Sequence, residues 1–225
     1  MMGKRLIGVW VCLLGGLGAF AAPAAEPWQT ALARMPLGAN VTELNATNCV
    51  KVMLGAFQSN DAVKALVFLP GATDEFYWHQ LTKAKLTNDS PSLLDAVNAL
   101  TDQTRIRAMF RPPMLLLRAD SDPVEPQGEI IDAPTARRIM QRRFVAHALY
   151  NDRDWDSLRS TLRKTCRVDF SPGMYSRYSF HFYRHSFAAW NLTGWEALEV
   201  MSLAGKTTFR VEEDRVIFQE DHRGL

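Results

Sequence analysis

The chain has 225 residues, 47% of them hydrophobic and 22% charged, with 26 Lys and Arg against 24 Asp and Glu. These are the proportions of an ordinary globular protein, and they exclude a disordered tail, a collagen and a multispan membrane protein. Two of the 26 bases, Lys4 and Arg5, fall in residues 1–25, which hold no acid. From Glu26 onward 24 bases face 24 acids, so the chain lacks the clustered positive charge of a general nucleic-acid binder.

Residues 1–25 read as a secretory signal peptide. Lys4-Arg5 is followed by an apolar run from Leu6 to Phe20 and by the small-x-small patterns Ala19-Phe20-Ala21 and Ala22-Pro23-Ala24. A run of about 15 residues is shorter than the roughly 20 that cross a bilayer as a helix, so no membrane span is expected after cleavage. The expected address is the periplasm or the cell envelope. Export puts Cys49 and Cys166 in an oxidising compartment, where they are a candidate disulfide or two separate buried thiols.

Past a lead-in over residues 26–39, a pattern recurs four times: an extended stretch runs into an Asn, and an amphipathic helix begins soon after. The stretches are Val41–Asn45, Lys83–Asn88, Ala146–Asn151 and Phe187–Asn191. The helices carry apolar stripes at three- and four-residue spacing: Val50/Met53/Leu54/Phe57, Leu93/Leu94/Val97/Leu100, Trp155/Leu158/Leu162 and Trp195/Leu198/Met201. Ser90 before Pro91 is a candidate helix cap in the second unit, and Thr193 with Glu196 has capping-box spacing in the fourth. Each helix leads into a further extended run, at Ala65–Leu69, Ile106–Phe110, Val168–Phe170 and Thr208–Val211. The second and fourth units add a strand across a turn, at Met114–Leu117 and Arg215–Phe218.

The units pair, which predicts an α+β fold of two tandem small domains, each with two helices packed on a small mixed sheet (strand-helix-strand repeated). They span residues 40–118 and 143–219, and residues 220–225 form a tail. One core per domain is expected, near the lower size limit for independent folding. Between them, residues 119–142 have the composition of a charged, Pro-containing linker. Asp120, Asp122, Glu125, Glu129 and Asp132 precede Arg137, Arg138, Arg142 and Arg143, with a short helix expected from Pro134. The charge division suits a solvated linker or a docking patch for a partner or an anionic surface.

The stretch Ser186–Leu198, containing Trp190-Asn191-Leu192-Thr193-Gly194-Trp195-Glu196-Ala197-Leu198 and running on through Phe209–Phe218, resembles the short N-terminal (STN-like) domain of secretins and TonB-dependent receptors. Asp154–Val168 followed by this stretch is similar to the ring-forming N-domains of secretins, and the first pair of units resembles the same layout through Ser92–Val97. The resemblance implies a non-catalytic envelope module that binds protein partners or assembles side by side. It transfers no functional residue.

Catalytic patterns are sparse. His181 and His185 have a helical metal-ligand spacing but lie in a stretch that alternates like a strand; Cys166 with His147 or His185 lacks a positioning signal; His79 near Asp74 and Glu75 falls in a turn. No enzyme activity, metal or cofactor is expected. The candidate interaction surface is Tyr178 and Tyr183 with Arg177 and Arg184, joined by the four linker arginines. The expected partner is an envelope protein or a second copy of the chain; a glycan or small ligand on the aromatic segment 175–190 is the alternative.

Overall fold

The runs Ala65-Leu66-Val67-Phe68 and Met114-Leu115-Leu116-Leu117 do not alternate apolar with polar residues. Strands covered on both faces read this way, and these two lie at the centre of the molecule. The computed structural model describes residues 26–38, 40–45, 47–69, 83–119, 128–144, 155–172, 186–205 and 207–220. The signal segment, Ala146–Asn151, and the histidines at 79, 147, 181 and 185 lie outside them.

In chain order the elements are α1 (Pro27–Ala33), β1 (Glu43–Leu44), α2 (Cys49–Ala56), β2 (Ala65–Phe68), β3 (Ala84–Lys85), α3 (Leu93–Gln103), β4 (Ile106–Arg111), β5 (Met114–Ala119) and β6 (Gly128–Ile130). Then follow α4 (Ala133–Gln141), β7 (Arg143–Phe144), α5 (Trp155–Cys166), β8 (Asp169–Pro172), β9 (Ser186–Ala189), β10 (Leu192–Thr193), α6 (Gly194–Ala204), β11 (Thr207–Glu212) and β12 (Arg215–Glu220). The fold is mixed α+β. Among the described residues no helix is long and apolar enough to cross a membrane.

The second half of the chain repeats the topology of the first. β1 pairs antiparallel with β3, and β10 with β7. β2 lies parallel to β5 and β8 parallel to β12; the hairpins β4–β5 and β11–β12 each join two six-residue strands through two residues. From helix cap to hairpin the halves stay in step at an offset of 101 residues, Ser92 matching Thr193, Ile106 matching Thr207 and Met114 matching Arg215. The recurrent asparagines have local reasons. Asn45 Oδ1 accepts from the Thr47 and Asn48 amides before α2, Asn88 Nδ2 donates to Asp95 at 2.8 Å, and Asn191 takes a left-handed φ of 52°.

Three sequence expectations are corrected here. Ser92, not Ser90, caps α3: its hydroxyl accepts from the Asp95 amide at 3.2 Å while Asp95 Oδ2 accepts from the Ser92 amide at 2.7 Å. An acid three residues on gives Ser92 a reciprocal pair of bonds that Ser90 lacks. The strand from the Phe187–Asn191 stretch does not serve its own half; β9 crosses to lie antiparallel on β2, and Leu192–Thr193 takes the place equivalent to β3. In the stretch read as a linker the helix expected from Pro134 forms as α4, capped by Asp132, but Gly128–Ile130 is not linker: it forms β6, parallel on β11, while residues 120–127 lie outside the described residues.

These additions fuse the halves. The first sheet has the order β4-β5-β2-β9 and the second β6-β11-β12-β8. One core lies between α1, α2, α3 and one face of the first sheet, with Leu66, Phe68, Leu115 and Leu117. The other is shared: Val67, Met114 and Leu116 from the opposite face meet Leu198, Met201, Phe209 and Phe218 of the second half. Helix α6 lies between the sheets and is apolar nearly all round, as a helix covered on both sides must be. The first half therefore keeps a core of its own, while the core expected for the second half alone is shared with the opposite face of the first sheet.

Candidate functional site

Sheet edges are where such a fold has unused chemistry, because an edge strand points half its amides and carbonyls outward. In each two-residue hairpin the residues flanking the turn form a bonded pair, and bonded pairs then alternate along the strands. In β11 this directs the backbone groups of Phe209 and Val211 away from β12, toward β6. β6 uses them: Gly128, Glu129 and Ile130 lie beside Phe209, Arg210 and Val211, and the Ile131 amide donates to Val211 O at 2.9 Å.

By the offset of 101 residues the equivalent positions of the first half are Ala108, Met109 and Phe110 on β4. The same alternation turns the backbone groups of Ala108 and Phe110 outward, and among the described residues β4 pairs with β5 alone. Ala108 and Phe110 are half-buried. Their side chains pack toward the core under α3, where Phe110 stacks on Trp28 with ring centroids 5.9 Å apart. Arg105 and Arg107 are exposed where the strand begins. Neither edge feature is visible in the sequence, where β4 reads only as one more extended run.

A second concavity lies beside β9. Leu54, Phe57, Gln58, Ser59, Ala188 and Trp190 line an apolar groove of about 320 Å³. Trp190 stands 48% exposed at its rim, its backbone tied down by its amide to Lys64 O at 2.9 Å and by the Ser59 hydroxyl to its carbonyl at 3.4 Å.

The residues singled out from sequence fare differently. Tyr178, Tyr183, Arg177 and Arg184 lie outside the described residues. The linker arginines do not form a single free cluster. Arg138 pairs with Asp214, Arg143 donates to Asn191 O at 3.4 Å, and Arg137 and Arg142 are exposed on or beside α4. Three exposed apolar side chains accompany them, Ile130, Ile131 and Met140. Cys49 and Cys166 are two free buried thiols in different cores, which removes the candidate disulfide. Burial pushes the Cys49 thiol up to about 12; burial likewise pushes Cys166 up to about 11, against the opposing pull of Arg142 and Arg138. A thiol held protonated is a poor nucleophile or metal ligand. Among the described residues no group of three His, Cys, Asp or Glu side chains could hold a metal ion.

Comparison with family models, with curated proteins and with solved structures finds no match for this chain.

Proposed function

We propose that the chain is an exported, non-catalytic interaction or assembly module of the bacterial envelope, of the secretin and TonB-receptor N-terminal type, working through its sheet edges. One observation carries the reading: both four-stranded sheets are completed by a strand from outside their own repeat, β9 on β2 and β6 on β11. The repeated unit thus accepts added strands on two different edges, one antiparallel and one parallel. Main-chain pairing supplies affinity in such additions and side-chain pockets supply specificity. The signal-like residues 1–25, the balanced charge and the resemblance of Ser186–Phe218 support the same reading.

The test is a pull-down of the chain beginning at Glu26 from envelope extract, followed by mass spectrometry and by reconstitution with the purified partner. A protein that binds again in pure form is the expected result. Saturable binding to cell-wall glycan with no protein recovered would overturn it. That outcome belongs to a second reading, a glycan- or small-ligand-binding protein, favoured by the exposed indole of Trp190 over an apolar groove. Loss of glycan binding in Trp190→Ala would then identify the groove as the site.

A further inference from the structure

We infer that the edge of β4 is a docking site for an extended segment of a partner protein, bound parallel to Ala108–Phe110 with an apolar side chain beside Ala108 and an acidic residue at its leading end. The inference rests on the interaction-module reading and names the site and the chemistry of the partner.

The molecule carries its own precedent. The equivalent edge of the second half holds a parallel strand at the matching three residues, and β6 reaches it from outside the repeat. The hairpins are equal in length and register, so the outward amides and carbonyls of Ala108 and Phe110 stand where those of Phe209 and Val211 stand. An extended backbone satisfies such groups at two-residue intervals; a sugar or small apolar molecule does not.

The two edges differ in the room they leave. On the second, the incoming residue beside Phe209 is Gly128, where a Cβ would stand 2.5 Å from Phe209 Cζ and 2.9 Å from Trp195 Cζ2, so glycine is required. On the first edge the equivalents of Phe209 and Trp195 are Ala108 and Leu94, both smaller. A methyl group in place of a phenyl ring leaves space for a side chain from the incoming strand, and the Trp28–Phe110 stack offers it an apolar wall. The charge is asymmetric as well. Parallel addition sets the leading end of the incoming strand beside exposed Arg105 and Arg107, which favours an acidic residue there.

The probe is the acetylated, amidated hexapeptide Glu-Val-Thr-Val-Thr-Val, titrated into the chain beginning at Glu26. Trp28 fluorescence and amide exchange report on the edge, backed by analogues N-methylated at alternate residues, with Lys for Glu, or with Gly for the middle Val. Saturable binding that slows exchange at Ala108 and Phe110 is expected, at least about tenfold weaker after N-methylation or charge reversal. Ala108→Pro removes an amide outside the β4–β5 ladder and should abolish binding. Ala108→Phe recreates the crowded edge and should reject the Val peptide while admitting the Gly analogue. Equal binding of the N-methylated peptide would overturn the proposal, as would a concentration-dependent dimer that protects the same amides, or slow exchange at Ala108 and Phe110 in the free monomer. An envelope partner bound equally by wild type and Ala108→Pro would sink this site and leave the module reading standing. Peptide binding at β4 in a chain that recovers no envelope protein would do the reverse.

Discussion

Gly128 and Phe209 face each other across the β6–β11 pairing with no space for a side chain on the glycine, since a Cβ there would lie 2.5 Å from the phenyl ring. The ring belongs to the shared core and cannot move aside without disturbing Trp195 and Phe218, at centroid distances of 5.1 and 5.9 Å. Gly128→Ala should therefore cost about 1–3 kcal/mol as an overpacked site. Urea denaturation measures the loss. The same substitution in a Phe209→Leu background should cost clearly less, because the two side chains compete for one volume.

The shared core makes a prediction about cooperativity. Leu116 belongs to the first sheet, yet its side chain is fully buried in the core formed with the second half. Leu116→Ala should lose about 2–5 kcal/mol, and the weakened protein should still unfold in one transition seen alike by circular dichroism and by tryptophan fluorescence. Two transitions would mean that the halves are stable separately.

The caps predict a pH effect of defined sign. The Asp95 carboxylate accepts from the Ser92 amide first and the Ser92 hydroxyl second, and these bonds hold its pKa below the ordinary Asp range. A lowered folded-state value means stability that is complete above the ordinary Asp pKa and is lost as pH falls through the lowered one. Asp95→Asn should remove that acid limb from a plot of stability against pH. Ser92→Ala and Thr193→Ala should each cost about 1 kcal/mol at neutral pH.

Glu199 predicts the opposite sign. It sits half-buried on α6, and desolvation raises its pKa against the opposing pull of Arg111, whose Nη2 is 3.9 Å away. The folded state therefore holds this proton more tightly than the unfolded chain. Stability is highest below the ordinary Glu pKa and falls as pH rises through the raised value. Glu199→Gln should raise Tm at pH 7, with the gain disappearing under acid conditions. Arg111→Ala, which leaves the carboxylate without its cation, should lower Tm at pH 7.

Much of the local structure was legible because its causes are local. Thr193 and Glu196 stand three apart, and their reciprocal bonds form as that spacing predicts. The extended run expected at Thr208–Val211 lies in a strand, Thr207–Glu212, with alternate side chains buried, and the two-unit repetition reappears as matched strand pairings. Ser90-Pro91 has the composition of a helix start, but the carboxylate of Asp95, three residues on, places the cap at Ser92. The β4 edge and the Trp190 groove were not legible. Each depends on residues more than 80 positions apart, as Trp28 with Phe110 or Ser59 with Trp190, and one sequence carries no mark of which distant segments meet.

The sequence by itself thus determined most of the helices and strands, the cap at Thr193 and the two-fold repetition, since short-range hydrogen bonding and hydrophobic period decide those. Only the tertiary structure decided that β9 and β6 leave their positions to extend the two sheets, that α6 lies between the sheets, and that Cys49 and Cys166 stay apart in different cores. The physical reason lies in the non-alternating strands Ala65–Phe68 and Met114–Leu117. Their second apolar face has to be covered, and the second half of the chain covers it, so two balanced halves become one body in which, among the described residues, the outer edge of β4 carries no further strand.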